Sequence, residues 1–235
     1  MRTRLLPILC LCGLLVAVFG LGVFARTTTA RCSFQDIKGK SNAYLGTFKK
    51  LSCYYHNHGE QPINLGEERR GREYIRAREA LTTSYSWAVP TEAAIDCIAK
   101  YAARHGLVDF GAGTGYWSSL VEQRGVKVTA IDNWKDPRPR HLFTKVTTGS
   151  FELLPAFHDS VLLLVWPPQF SDMALKAVKT WGGQTLIYVG EVPPYIGNAD
   201  LEFFYELAKH WRAIEEVPIP QWWNRGDRMI VFSRI

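Results

Sequence analysis

The sequence predicts an α/β protein built on a doubly wound, mostly parallel sheet. The segment 107–132, LVDFGAGTGYWSSLVEQRGVKVTAID, reads as strand, glycine turn, helix and strand, one half of a doubly wound nucleotide fold. Val161–Val165 is a solid apolar run, as a central parallel strand covered on both faces requires. Helical and strand-like runs then alternate to the end of the chain.

At 235 residues, one domain plus a tail is the natural expectation. With 47% apolar residues and eight Trp, a sizeable core is within reach. The net charge of +6 is mild; it permits an anionic surface as partner but does not call for nucleic acid.

The N-terminal run Leu5–Ala25 is apolar throughout apart from Pro7 and glycines, with Arg2 and Arg4 before it and Arg26 after. About 20 apolar residues suffice to span a bilayer, whereas a cleaved signal usually has a shorter apolar stretch. The reading favoured here is an uncleaved signal anchor over 1–30, a single-pass transmembrane helix. Thr28-x-Ala30 keeps a cleaved signal peptide and a secretory lumen open, and the acid-free, Arg-containing start keeps a mitochondrion open. Arg26, Arg31, Lys38 and Lys40 outnumber the N-terminal charges, which favours a cytosolic C-terminal domain. Cys32 and Cys53 pair or stay free according to the compartment.

Residues 31–84 read as a linker and an N-terminal helical arm. Up to Gln61 the chain is polar with no clear period, and His56 and His58 read as solvent-facing loop histidines; no metal cluster is expected. Glu67–Ala80, EERRGREYIRAREA, reads as a charged helix: either a solvated face, or an arm over the cofactor site.

The domain proper is assigned to 85–235. Thr91 suits an N-cap and Glu92 the first turn of a helix whose Ala94, Ile98, Tyr101 and Ala102 recur at helical spacing. The strand Leu107–Phe110 runs into Gly111, Gly113 and Gly115, which admit positive φ and let a ligand approach the main chain. Helix formers follow from Tyr116, Gly125 suits a left-handed stop, and Val126–Ile131 reads as the second strand, ending at Asp132. An acid there can accept both hydroxyls of a ribose. A dinucleotide fingerprint would place its third glycine at position 116; Tyr116 stands there, which disfavours a nicotinamide-dependent oxidoreductase.

The pattern DFGAGTGYW, with an acid two residues before the first glycine, closely resembles the first motif of class I S-adenosylmethionine-dependent methyltransferases. The segments YSWAVPTEAAIDCIAKY, GAGTGYW, WPP and YVGE are similar to a set of uncharacterised methyltransferase-like proteins, over roughly 85–235. The resemblance implies a seven-stranded sheet ending in an antiparallel hairpin, and S-adenosylmethionine as cofactor. It implies that Asp109 helps fix the cofactor's amino-acid end and that Gly111, Ala112, Gly113, Thr114, Gly115 and Tyr116 wrap the same region. Asp132 would grip the ribose and Asn133 would lie near it; Ser150 would meet the adenine edge, with Glu152 as the available acid. Trp87 either lines the pocket or belongs to the core.

A third strand is expected over Phe143–Val146, and the loop before it carries Lys135, Arg138 and Arg140, either exposed or meeting an anionic substrate. Val161–Val165 ends in Trp166-Pro167-Pro168-Gln169. This matches in position the N/D-P-P-Y/F motif of N-methyltransferases, but with Trp for the polar clamp and Gln for the aromatic. The resemblance leaves a rigid Pro-Pro carbonyl beside the methyl, and Trp166 offers a π-face to a cation. Ser171 caps a helix to about Lys179, and Gln184–Val189 is a strand that ends in Gly190-Glu191. Glu191, at a strand's carboxyl end, is the candidate substrate-facing acid or base. Leu201, Phe204, Ala208 and Trp211 mark a helix, and Ala213–Val217 with Met229–Ser233 form the hairpin around Trp222, Trp223 and Arg225.

The functional expectation is therefore a membrane-anchored methyltransferase acting on an unidentified small molecule or protein side chain. Trp166, Pro167, Pro168 and Glu191 form its catalytic side. The rival reading is a catalytically degenerate methyltransferase fold serving as a scaffold or S-adenosylmethionine-binding interaction protein.

Overall fold

The computed structural model describes residues 42–49, 68–134, 139–193, 198–222 and 225–235. A short helix over 43–49 (α1) and Glu68–Ser84 (α2) precede Glu92–Ala102 (α3). Then come β1 (Leu107–Phe110), α4 (Tyr116–Glu122), β2 (Val128–Asp132) and β3 (Val146–Thr148). A 3-10 turn over Phe151–Phe157 leads to β4 (Val161–Val165), α5 (Met173–Trp181) and β5 (Thr185–Gly190). The chain ends with α6 (Leu201–His210), β6 (Trp211–Pro218) and β7 (Arg228–Arg234).

The strands form one seven-stranded sheet in the order β3-β2-β1-β4-β5-β7-β6. β1 to β5 pair in parallel, while β7 is antiparallel to both β5 and β6. The predicted mostly parallel sheet with a terminal hairpin is the sheet observed. Boundaries moved by a few residues: β3 starts at Val146, the last of the residues expected for it, and Phe143 packs on Tyr116 instead.

Local chemistry explains the helix ends. The Thr91 hydroxyl accepts the N–H of Ala94 at 3.1 Å, and Asp200 accepts that of Phe203 at 2.9 Å. Ser171 Oγ accepts the N–H of Met173 at 3.3 Å. Gly125 and Gly182 take left-handed backbone at helix ends.

Two apolar layers sandwich the sheet. Val161 and Leu163 of β4 face the layer of Ile95, Ile98, Trp117 and Leu120; Leu162 and Leu164 face Val178, Trp181, Phe203 and Leu207. Each such fully buried aliphatic side chain stabilises the fold by about 1.5–3 kcal/mol. Alternation along one strand thus holds helices on both faces, and the loops at the carboxyl ends of β1, β2, β4 and β5 share one edge.

One expectation is corrected. Among the described residues no helix is long and apolar enough to cross a membrane. The longest, Glu68–Ser84, has 17 residues, many of them charged, where a span needs about 20 apolar ones. The expected single-pass membrane protein is overturned on that finding; the run 5–25 that prompted it lies outside the described residues. So do Cys32, Cys53, His56, His58, Lys135, Arg138 and Trp223. Within the segment read as a linker, residues 42–49 are packed on the domain. Tyr44, Leu45 and Phe48 are buried in the same layer as α3 and α4, and the Tyr44 ring stacks on Tyr85 at 5.0 Å.

Candidate functional site

The glycine turn is stitched to the end of β2. Gly111 N and Ala112 N both donate to the Ile131 carbonyl, at 2.9 and 3.1 Å. The Asp132 carboxylate then accepts Gly113 N through Oδ2 and Trp134 N through Oδ1, each at 2.7 Å. Trp134 Nε1 closes the ring by donating to the Gly113 carbonyl at 3.1 Å. Gly113 has φ +57 and nothing within 4 Å of the place a Cβ would occupy, so its main chain borders open space.

That space is a cleft of about 480 Å³, within the roughly 300–1,000 Å³ typical of small-molecule pockets. It is lined by Gly111, Gly113, Asp132, Asn133 and Trp134 from the glycine turn and the end of β2, and by Trp87, Val165, Trp166, Pro167, Pro168, Gln169 and Met173. The cleft therefore brings together residues assigned separately to the cofactor and to the reaction. Trp87, left open between pocket and core, is 48% exposed and lines it.

Several candidates lie elsewhere. Asp109 is buried beneath the turn, where Ser118 Oγ donates to its Oδ2 at 2.6 Å and its Oδ1 has no partner. Burial, opposed by Ser118 and aided by Asp132, pushes its carboxyl up to about 7. The Thr114 hydroxyl bonds the Tyr85 carbonyl, and Gly115 is buried against Thr144 and Val146. The Tyr116 side chain turns into the core: its hydroxyl donates to Asn42 Oδ1 at 2.9 Å and accepts Tyr44 N at 3.3 Å. Ser150 is not a lining residue; its N–H donates to Glu152 Oε1 at 3.2 Å.

Glu191 lies outside the cleft lining too. It is 3% exposed. Its Oε1 accepts Gly226 N at 3.0 Å, and Arg225 Nη1 stands 3.8 Å from Oε2. The Gly190–Glu191 end of β5 is tied to Asn198, which accepts Glu191 N at 2.8 Å and donates to Tyr188 Oη. The Pro167 carbonyl accepts Ala199 N at 2.9 Å, so it braces the loop after β5.

Trp166 has φ +51, a left-handed backbone rarely adopted by a bulky residue. Three contacts hold it. Its ring stacks on Trp87 at 5.5 Å, its Nε1 donates to Asp227 Oδ1 at 2.7 Å, and the Arg225 guanidinium lies 5.9 Å from its centroid. The Arg78 guanidinium lies 5.4 Å from the Trp87 centroid. Sequence reasoning missed Asp227 and Arg78. Asp227 is 61 positions from Trp166, and no local pattern joins them. Asp227 is 1% exposed with Oδ2 unpartnered. Burial first, then Glu191, pushes its carboxyl up to about 7 against the pull of Trp166, Arg225 and Arg78.

No family model matches this chain, and no curated protein matches it. Among solved structures, the mitomycin 7-O-methyltransferase MmcR is similar at 14% identity and TM-score 0.42, over 82% of this chain and 67% of that one. The methyltransferase domain of bacterial CtHen1 is similar at 12% identity and TM-score 0.41, over 60% and 96%. TrmK of M. capricolum, solved with S-adenosyl-homocysteine, is similar at 12% identity and TM-score 0.41, over 60% and 67%. These structural neighbours are methyltransferases, at distances too great to assign a ligand or a reaction from the likeness.

Proposed function

We propose that this chain is an S-adenosylmethionine-dependent methyltransferase whose acceptor enters on the Trp166 side of the cleft. One observation carries the reading: a single cleft is lined both by Gly113 and Asp132 and by the Trp166-Pro167-Pro168 turn. The donor set fits the cofactor. Asp132 is a half-buried carboxylate at a strand's carboxyl end, suited to a pair of ribose hydroxyls, and Gly113 leaves the main chain open beside it. Asp109 keeps an unpartnered buried oxygen beneath the same turn.

When bound, the cofactor supplies a methyl group already activated by a positively charged sulfur. The chain's residues then have to orient and exclude water. The indoles of Trp87 and Trp166 wall the acceptor side, and the Pro-Pro turn keeps that wall rigid. Holding two reactants in line contributes about 7–11 kcal/mol of a barrier. A strong base is required only for an acceptor that must lose a proton, so the lack of a carboxylate among the acceptor-side lining residues is compatible with transfer.

Calorimetry with S-adenosyl-homocysteine and with NAD tests the cofactor. We expect binding of the first only, lost in Gly113→Val. Turnover of radiolabelled S-adenosylmethionine in a cell extract, with Trp166→Ala as control, tests the reaction. Cofactor binding without any labelled product would favour the scaffold reading over the enzyme.

A further inference from the structure

The cluster behind the acceptor wall is organised in a way methyl transfer alone does not require. Arg78 comes from α2, outside the sheet, and Arg225 from the loop before β7; both set guanidiniums over the stacked Trp87–Trp166 pair. An indole face holds a guanidinium through its π-system and leaves the in-plane N–H groups free to meet a ligand. Arg78 uses few of them: its Nε is buried with no hydrogen-bond partner, and among the described residues no carboxylate forms an ion pair with it.

The nearby acids do not answer this demand. Glu191 reaches only Arg225, at 3.8 Å, and is bonded to Gly226 N. Asp227 attracts both guanidiniums, but it hydrogen-bonds neither: its Oδ1 goes to the Trp166 indole, its Oδ2 has no partner, and burial raises its proton affinity. Arg78 is held below its usual proton affinity by burial first and by Arg225 second, so the two guanidiniums repel each other. Two like charges at close range, with a buried donor left unpaired, form an arrangement that an anion relieves.

We propose that Arg78 and Arg225, set on the Trp87–Trp166 pair, bind an anionic oxygen group, a carboxylate or a phosphate, on the methyl acceptor. This deepens the methyltransferase reading and rests on it for the word acceptor. It gives α2 the role of a specificity arm: the helix sets one guanidinium on Trp87, which lines the cleft, and a neutral acceptor of the same shape gives that guanidinium no partner. It also revises the expected use of Trp166. A cationic amine would have to compete with the guanidinium the ring already carries.

Acetate and inorganic phosphate are the probes. Binding to the full chain is followed by calorimetry and by tryptophan fluorescence, which reports on the two indoles. We expect saturable millimolar binding of at least one anion, weakened tenfold or more in Arg78→Gln and in Arg225→Gln, and weakened less in Arg78→Lys, which keeps the charge without the fork. S-adenosyl-homocysteine affinity, measured on the same samples, should stay within twofold and shows that each variant is folded. No saturable anion binding to the wild-type chain, or binding unchanged in both glutamine variants, overturns the site. Anion binding without S-adenosyl-homocysteine binding would keep the site and remove the methyltransferase. The reverse result would remove this site alone.

Discussion

Asp227 shows how one buried carboxyl couples stability to pH. Its pKa in the fold is about 7, against about 3.9 for an unperturbed aspartate. The folded chain therefore holds this proton more tightly than the unfolded chain does. The resulting contribution to stability is complete below about pH 4 and is lost as pH rises through about 7. Asp227→Asn removes the titration and keeps an oxygen for the Trp166 indole. Relative to wild type, the variant should gain about 2–3 kcal/mol between pH 5 and pH 8, or roughly 4–10 °C in Tm for a chain of this size. Thermal unfolding of both proteins at the two pH values measures it, and a Tm difference that does not change with pH would contradict it. Asp132 works by hydrogen bonding: its two oxygens already organise Gly113 and Trp134. Replacing it by Ala should weaken S-adenosyl-homocysteine by about 10–100-fold, the loss of charge-assisted bonds of about 1.5–3 kcal/mol, as read by calorimetry.

At the scale of the element, the glycine turn has one tightly packed position and one open one. A Cβ at Gly115 would lie 2.9 Å from Thr144 Cγ2 and 3.0 Å from Val146 Cγ2, on a backbone at φ +73. Those neighbours are β-branched and stiff. Gly115→Val should therefore cost about 2–4 kcal/mol of stability through strain and overpacking. Gly113→Val carries only the left-handed penalty, about 1–2 kcal/mol, because its Cβ meets open space. It should lower Tm modestly while abolishing cofactor binding. The first turn of α4 adds a contrast. Tyr116 was assigned to the cofactor from its place in the motif, yet its hydroxyl ties α1 to the domain through Asn42 and Tyr44. Tyr116→Phe should lower stability by about 1–3 kcal/mol, the cost of leaving a buried partner unpaired, and leave S-adenosyl-homocysteine affinity within twofold. A loss of affinity with unchanged Tm would return Tyr116 to the pocket.

Across the whole molecule, what was legible in the sequence is what local pattern writes. The strands appear as short β-branched or apolar runs, the turn as alternating glycines, and Asp132 as an acid at a strand's end. What was not legible depends on residues far apart in the chain. Asp227 meets Trp166 across 61 positions, and Trp222 donates to Tyr44 across 178; neither pairing leaves a periodic trace. The hydrogen bond that Glu191 Oε1 accepts from Gly226 N, 35 positions on, is likewise unwritten in local pattern. The sheet order nonetheless puts the cleft between the β1–β2 half and the β4–β5 half, where the chain reverses its direction of winding. A ligand seated there touches loops from both halves, so it should stabilise the fold as one unit. At about 100 times its Kd, a ligand that binds only the folded state adds about 2.7 kcal/mol. For a chain of this length that raises Tm by roughly 5–10 °C. Thermal unfolding with S-adenosyl-homocysteine should show that rise as a single transition in the wild-type chain and in Arg78→Gln, and no rise in Gly113→Val. NAD at the same concentration should leave Tm unchanged. A rise with NAD, or none with S-adenosyl-homocysteine at millimolar concentration, would mean that the Asp132 edge serves a different ligand.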